Sequence, residues 1–206
     1  MQNALIEREW VDLDVAPLGT SRITHLTAAA EPKWTGVIEL GPSETFSLED
    51  GLRYDFYLLR GSVDIEGHVF SADDFLIQRD ATVIQAGEDG ARILAYSEAG
   101  DGSRDPLVRP AKGREWRTGI NIQMEVAPLD SGRHRISLVS WQPGAHTRLH
   151  THPGGEEMFV LSGEISDGDE RYPSGTWLRF HPGSTHAPFA SVPTTILLRH
   201  GHLTPS

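Results

Sequence analysis

The stretch Gly144-Ala-His-Thr-Arg-Leu-His150-Thr-His152-Pro-Gly-Gly-Glu156-Glu-Met-Phe-Val-Leu-Ser-Gly163 decides the fold of this chain. His150 and His152 are two residues apart, and on a β-strand side chains at i and i+2 share a face. The Pro-Gly-Gly segment after His152 is a strong turn signal, which reverses the chain and places Glu156 at the start of the next strand. Imidazole nitrogens and a carboxylate oxygen suit zinc, iron, nickel, manganese or copper. The stretch therefore predicts a metal site between two strands.

A third histidine completes the expected ligand set. The segment Pro182-Gly-Ser-Thr-His186 contains another Pro-Gly turn, and it lies far enough downstream for a strand to return to the site. An isolated histidine is more often a surface residue or a satisfied core residue. The conjunction of the two segments favours one divalent metal bound by a set of four side chains, namely His150, His152, Glu156 and His186.

The same residues carry a family resemblance. Gly144, His150, His152, Glu156 and Gly163 satisfy every fixed position of the first cupin motif, G-x5-H-x-H-x3-E-x6-G. The second cupin motif is met in part: the chain supplies its glycine, proline, glycine and histidine, but an alanine stands where that motif has asparagine. The residues concerned are Gly175, Pro182, Gly183, His186 and Ala190.

In its detailed amino-acid sequence, the region of these two motifs most closely resembles the cupin-like domain of the ChrR anti-sigma-factor family. The resemblance implies a β-barrel of the double-stranded β-helix or jelly-roll type with these four residues as metal ligands, and zinc as the metal. In that family a sigma-binding domain whose metal ligands include cysteines precedes the cupin-like domain. This chain has no cysteines, so a sigma factor is not an expected partner.

Composition narrows the class of protein. The chain has 206 residues, of which 38% are hydrophobic, and its 21 glycines and 13 prolines favour a turn-rich β fold. The formal net charge of −11 argues against a nucleic-acid partner, because phosphate binding needs clustered Lys and Arg. The chain contains no apolar run of transmembrane length and no signal-like N-terminus. We expect a cytoplasmic protein with no membrane partner.

An internal repeat organises the chain. With a shift of 102 residues (163 − 61), Gly163 falls on Gly61, Phe159 on Tyr57 and Trp177 on Phe75. Farther upstream, Glu9-Trp10 recurs as Glu115-Trp116, and Val15-Ala-Pro-Leu18 recurs as Val126-Ala-Pro-Leu129. The repeat predicts an all-β chain of two tandem cupin barrels, over residues 5–104 and 115–206, joined by the segment 100–106.

The first repeat is expected to lack metal. Under the shift, the four ligands fall on Leu48, Asp50, Tyr54 and Ile84. A single carboxylate cannot hold a transition metal. We therefore expect an apolar interior in this half, with Phe56 and Leu58 beside the three apolar residues of that set.

The alternation of apolar and polar residues predicts strands and little helix. Tight hairpin turns are expected at Arg60-Gly61 and Ser162-Gly163, and irregular chain from Gly100 to Gly119. The predicted strands are Thr35–Leu40, Tyr54–Arg60, Val63–Ile65, Asp74–Gln78, Arg92–Tyr96, Arg135–Trp141, Glu157–Ser162, Thr176–Phe180 and Thr194–Arg199.

Strand parity also predicts an interface. If Glu156 points inward, Phe159 and Leu161 point outward, as do Tyr57 and Leu59 in the first repeat. Exposed apolar rows on sheet faces usually mark a contact surface. We expect these rows to pack on each other or on a second copy of the chain, and we expect a homodimer.

Two classes of function fit these features. A metal-dependent sensing or regulatory protein follows from the ChrR resemblance, with zinc. A metal-dependent enzyme is the alternative, such as a dioxygenase of a small diketone or phenolic ketone, with iron, nickel or manganese. Both classes allow a small-molecule ligand, and a metal that only stabilises the barrel is a third, weaker interpretation. The candidate catalytic residues are His146, Tyr172 and Arg179, with Glu157 and His181 as further candidates, while His200 and His202 are expected to be exposed.

Overall fold

A computed structural model describes residues 7–10, 22–27, 34–100, 106–132 and 134–203, with the backbone alone for residues 7–10. Every regular element in these ranges is a β-strand, so the predicted all-β class is confirmed. No helix in the described part of the chain is long and apolar enough to span a membrane. The chain forms two compact units: the N-terminal unit, residues 14–114, and the C-terminal unit, residues 115–206 together with residues 1–13.

The N-terminal unit is built on one antiparallel sheet whose strand order is β2-β3-β8-β5-β7-β9, with β4 paired to β8 and β6 paired to β5. Its strands are β2 (Arg22–His25), β3 (Trp34–Leu40), β4 (Thr45–Ser47), β5 (Leu52–Ile65), β6 (His68–Ser71), β7 (Phe75–Gln78), β8 (Val83–Ala99) and β9 (Leu107–Arg109).

The C-terminal unit has a seven-stranded antiparallel sheet in the order β1-β17-β14-β19-β12-β11-β10, and two small sheets, β13-β18 and β15-β16. Its strands are β1 (Glu7–Trp10), β10 (Arg117–Thr118), β11 (Met124–Asp130), β12 (Arg135–Trp141), β13 (His150–Thr151), β14 (Glu156–Ser162), β15 (Glu164–Asp167), β16 (Glu170–Pro173), β17 (Thr176–Phe180), β18 (Thr185–His186) and β19 (Thr194–His200).

The first strand of the chain belongs to the C-terminal unit. Strand β1 pairs with β17, and Glu7 lies opposite Arg179 while Trp10 lies opposite Thr176. The sequence repeat had placed these residues in the first half, because Glu9-Trp10 resembles Glu115-Trp116. The other upstream repeat, at residues 15–18, and most of the predicted join, at residues 101–105, lie outside the described residues.

The sequence predicted a hairpin turn at Gly61, and this prediction is wrong. Instead of turning, β5 continues through Gly61 as one long strand, with register shifts against β8 on both sides of the glycine. Gly61 has φ +75°, and a Cβ at this position would lie 2.0 Å from the Gly90 carbonyl oxygen. Gly61 therefore has the positive φ that the sequence predicted, but it lies at a register irregularity within a long strand.

The hairpin turn predicted at Gly163 is also absent: the strands on its two sides, β14 and β15, do not pair with each other. Gly163 lies between β14 and β15, and β15 pairs with β16 in a different sheet. Its φ is +76°, and a Cβ here would lie 2.3 Å from the Pro193 carbonyl oxygen. The residue makes the corner at which the chain leaves the large sheet.

The longer predicted strands are observed, with the ends shifted by at most a few residues except in β5 and β8. The region from Gly100 to Gly119, predicted as irregular, contains the short strands β9 and β10. The repeat is visible in one strand pair: Tyr57 lies opposite Phe75, and Phe159 lies opposite Trp177. These pairs are equivalent under the 102-residue shift.

Each unit has its own apolar core. In the N-terminal unit, the residues expected to line an apolar interior are packed together: Leu48, Tyr54, Phe56, Leu58 and Ile84. In the C-terminal unit, Met158, Val160, Leu178, Ile196 and their neighbours form the core. The apolar residues predicted to form a contact surface are not solvent-exposed. Tyr57 and Phe159 are buried, and Leu59 and Leu161 are partly buried.

Candidate metal centre

Two short strands bring two of the predicted ligands, His150 and His186, together. Strand β13 pairs with β18, and His150 lies directly opposite His186 in this register. His152 follows β13, and its backbone is bonded to the turn before β18: its N–H donates to the Ser184 carbonyl at 3.1 Å, and its carbonyl accepts from the Gly183 N–H at 2.9 Å. The backbone therefore places the three histidines next to one another.

The three imidazoles meet at their Nε2 atoms. The Nε2 atoms of His152 and His186 are 2.8 Å apart, and those of His186 and His150 are 3.2 Å apart. Two nitrogens bound to one metal at about 2.1 Å lie roughly 3 Å apart when their bonds make an angle of about 90–110°. The geometry therefore fits three ligands on one face of a single ion, and these three residues form a metal-capable group among the described residues.

The tautomer of His150 also fits metal binding. Its Nδ1 lies 2.9 Å from the Arg148 carbonyl oxygen, which can only accept a hydrogen bond. The proton must therefore be on Nδ1, which leaves the Nε2 lone pair facing the other two rings. This is the usual arrangement of a metal-binding histidine.

Glu156, at the start of β14, lies beside the three rings and is 3% exposed. Its Oε1 is 3.7 Å from His186 Nε2, and its Oε2 is 3.5 Å from His152 Nδ1. The carboxylate lies beside the three histidines, which alone form the metal-capable group among the described residues, with ligand atoms within 4.8 Å of one another. Imidazole nitrogens with a carboxylate oxygen near them are ligand types that zinc, iron, nickel and manganese accept.

Burial favours the neutral forms of His152 and His186, and the neighbouring histidines favour the ionised form of Glu156. Burial lowers the pKa of His186 to about 4, although the nearby Glu156 raises it. Burial also lowers the pKa of His152, which lies 7% exposed. For Glu156, burial raises the pKa, but His200, His152 and His186 together hold it below its ordinary value. Neutral imidazole and ionised carboxylate are the forms that bind metal.

The centre opens on a cavity of about 1050 Å³. The four predicted ligands lie in its wall, and three arginines, Arg117, Arg135 and Arg148, line it as well. Most of the remaining wall is apolar. The apolar lining includes Met124, Val126, Val139, Met158, Ile196 and Leu198.

The candidate catalytic residues are not all near this cavity. His146 lines it and is exposed. Tyr172 is 2% exposed and packed in the core. Arg179 donates from Nε and Nη2 to Glu157 Oε1 at 2.9 and 2.7 Å and lies over the Trp177 ring, away from the cavity lining.

Three polar residues near the ligands were missed. His200, expected to be exposed, lines the cavity and contacts Glu156 Oε2 through Nε2 at 2.7 Å. His202, also expected to be exposed, is 4% exposed and lies 3.3 Å from Glu157. Asp167 Oδ2 is 3.9 Å from His186 Nδ1. Parity along β19 could have found His200, because Ile196 and Leu198 point inward on the same face.

Residues 105–204, just under half of the chain, match the family model of the ChrR Cupin-like domain. No curated protein matches the sequence. The sequence match and the solved structures that share the fold together support the cupin superfamily.

Three solved structures illustrate the fold. A proposed dioxygenase from Nostoc punctiforme has a TM-score of 0.74 and 14% identity, over 98% of this chain and 82% of that one. A Cupin 2 conserved barrel domain protein from Leptotrichia buccalis has a TM-score of 0.66 and 17% identity, over 91% and 92%. A mutant of Bacillus subtilis oxalate decarboxylase, an enzyme with Mn(II) centres, has a TM-score of 0.63 and 14% identity, over 93% and 75%.

Proposed function

We propose that the C-terminal unit is a metal-dependent cupin enzyme that acts on a small, largely apolar, oxygen-bearing molecule. The observation that carries this proposal is the position of the three converging Nε2 atoms in the wall of a large cavity. A metal that only stabilises a fold is usually closed off by its protein ligands, whereas a catalytic metal keeps a position open to substrate.

His150, His152, Glu156 and His186 would hold the metal, which in such a site can bind dioxygen or polarise a carbonyl. Iron, nickel or manganese suits this role, since each accepts more ligands than the four that the chain offers. Zinc, the metal implied by the ChrR resemblance, remains the alternative ion. The manganese of oxalate decarboxylase supports a redox-capable or octahedral metal by analogy of fold alone.

The cavity supports the proposed substrate class. Its volume of about 1050 Å³ is large for a ligand of a few atoms, and apart from the predicted ligands and the arginines its wall is mostly apolar. The three arginines in the wall can stabilise an oxygen anion. A small diketone in its enolate form or a phenolic ketone combines an apolar body with such an oxygen.

A sensing or regulatory role is the second candidate. The observation that favours it is the match of residues 105–204 to the ChrR Cupin-like domain. In that case the same cavity would bind a signal molecule, and zinc would be the expected metal. A sigma factor is not proposed as a partner, because the chain has no cysteines.

We also propose that both halves are cupin barrels, the N-terminal one without metal, and that the protein is a cytoplasmic homodimer. The equivalent register of Tyr57 with Phe75 and of Phe159 with Trp177 supports the repeat. The apolar packing of Leu48, Tyr54 and Ile84 supports a structural role for the N-terminal core.

Metal analysis of the purified protein tests the main proposal. We expect about one ion per chain in the wild type and almost none in His150→Ala, with His68→Ala, an exposed histidine on β6, as the control. Iron, nickel or manganese, followed by oxygen uptake with diketones or phenolic ketones, would support the enzyme. Zinc without oxygen uptake would favour the sensor, and no metal in the wild type would contradict both.

A further inference from the structure

Strand β19 carries a fifth ligand-type side chain to the metal centre. His200 is the last residue of this strand and lies opposite Glu156 of β14 in the sheet register. Both side chains line the cavity. The pairing continues past the end of the strand, because the Gly201 N–H donates to the Gly155 carbonyl at 3.0 Å and the Leu203 N–H donates to the Gly154 carbonyl at 3.0 Å.

The segment 201–203 is packed tightly on the turn that precedes Glu156. Gly155 has φ +72°, and a Cβ at this position would lie 2.6 Å from Leu203 Cδ1. The turn therefore accepts only glycine next to this segment. Two features set the distance between the backbones of His200 and Glu156. One is the register of β19 with β14, and the other is the packing of segment 201–203 on the turn.

The two side chains make a close contact. His200 Nε2 is 2.7 Å from Glu156 Oε2, an ion-pair contact in which the ring N–H is not aligned for a hydrogen bond. The other carboxylate oxygen, Oε1, faces His186 Nε2 at 3.7 Å. His200 thus contacts one oxygen, while the other faces the His186 imidazole.

We infer that His200 is a positioning residue for Glu156, an inference that rests on the proposed metal centre. Through its close contact with Oε2, His200 would hold the carboxylate so that Oε1 alone is presented to a bound metal. Without it, the carboxylate is free to turn toward the Nδ1 of His152, which already lies 3.5 Å from Oε2. A carboxylate held through one oxygen occupies one position of the ion and keeps a further position available to a ligand in the cavity.

The geometry distinguishes this role from that of a fifth metal ligand. The ring nitrogen of His200 that contacts Glu156 is Nε2, and His200 is not part of the metal-capable group among the described residues, which consists of His150, His152 and His186. The His200 side chain is 34% exposed, whereas that of His186 is 2% exposed, so His200 lies toward the open side of the centre.

Titration of the whole protein with Co²⁺, followed by visible absorption and by competition with a chelator, tests this inference. The spectrum reports the coordination number of the ion, so it responds to the mode of carboxylate binding rather than to fold stability. The variants are His200→Ala, His200→Leu, which fills the space without a donor, and His200→Gln, whose amide keeps a donor near the position of Nε2. His150→Ala and His68→Ala serve as the ligand-loss and remote-histidine controls.

We expect His200→Ala and His200→Leu to weaken Co²⁺ affinity by about 10–100-fold and to change the spectrum. His200→Gln should restore both. The inference would be overturned by wild-type affinity and spectrum in His200→Leu, by failure of His200→Gln to rescue, or by a loss as complete as in His150→Ala. A wild type that binds no Co²⁺ would overturn the proposed metal centre as well, whereas normal Co²⁺ binding without oxygen uptake would count against the enzyme alone.

Discussion

The rings of His152 and His186 are buried where a charged imidazolium is poorly accommodated, and this affects stability as well as metal binding. Burial lowers the pKa of both rings, that of His186 to about 4. An unfolded histidine has a pKa of about 6.5. Between these two values the unfolded chain binds protons that the folded protein does not, so lowering the pH favours unfolding.

We therefore predict that the metal-free protein is destabilised as the pH falls from about 6.5 to about 4. For His186 alone, the full shift corresponds to roughly 3 kcal/mol, and the contribution is constant above the unfolded pKa. Urea unfolding of chelator-treated protein at several pH values measures this effect. His186→Gln, which cannot be protonated in this range, should lose less stability over the same window, and equal stability of the wild type at pH 7 and pH 4.5 would contradict the prediction.

At the scale of elements, strands β14 and β17 are joined by a buried ion pair. Glu157 is fully buried, and Arg179 opposite it in the register donates two hydrogen bonds to Oε1. Burial raises the pKa of Glu157, but His202, Arg179 and Arg199 lower it to about 2 in total. The carboxylate is thus ionised in the interior and depends on its cationic neighbours.

Arg179→Ala should therefore destabilise the protein by about 3 kcal/mol, because it leaves a buried charge with fewer partners. Arg171→Ala is the matched control, since Arg171 faces Glu164 at 3.7 Å with its side chain 76% exposed, and a pair of this kind contributes less than about 1 kcal/mol. The difference in the free energy of unfolding between the two variants measures the effect. Similar values for both would show that the buried pair is not stabilising.

The corner between β14 and β15 depends on a glycine for two separate reasons. Gly163 has a positive φ, and a Cβ would meet the Pro193 carbonyl oxygen at 2.3 Å. Gly168, in the turn between β15 and β16, has φ +60° but no atom within 4 Å of an added Cβ. Alanine substitutions at Gly163 and Gly168 therefore separate the free-energy cost of a positive φ from that of a steric clash.

We predict that Gly168→Ala costs about 1–2 kcal/mol, the price of a left-handed conformation for alanine, and that Gly163→Ala costs more than about 3 kcal/mol. Thermal unfolding of the two variants beside the wild type measures both costs. If Gly163→Ala were no worse than Gly168→Ala, the backbone at Pro193 would have to yield easily.

The sequence predicted contacts between residues that are close along the chain better than contacts between strands that are distant in sequence. The spacing of His150, His152 and Glu156 is local, so a strand-turn-strand pattern sufficed to predict that they meet, and the structure places them side by side. The contact of His200 with Glu156 depends on the register between strands that are distant in sequence, which local spacing does not encode. The continuation of β5 through Gly61 was missed for a related reason, because a glycine with positive φ occurs both in hairpin turns and at irregularities within strands.

At the scale of the whole molecule, the strand β1 completes one edge of the large sheet of the C-terminal unit, which carries Glu156 and His200. Strand β1 pairs along β17, and β17 pairs in turn with β14, the strand that begins with Glu156. Without β1, the N–H and C=O groups on the outer side of β17 would form an unpaired edge. The sequence between β1 and the rest of this unit spans the whole N-terminal unit, so the C-terminal unit is not continuous in sequence.

Deletion of residues 1–13 should therefore lower the melting temperature of the C-terminal unit and increase aggregation, because β17 becomes an exposed edge strand. Metal stoichiometry at low temperature should persist, since the three imidazoles are positioned by β13 and β18, which do not contact β1 in the sheet pairing. Calorimetry in the presence and absence of added metal, with light scattering, measures both effects. A matched variant that keeps the strand but replaces Trp10, at its end, by Ala should retain the edge pairing and aggregate less than the deletion. An unchanged melting temperature after deletion would show that β17 is stable as an edge strand.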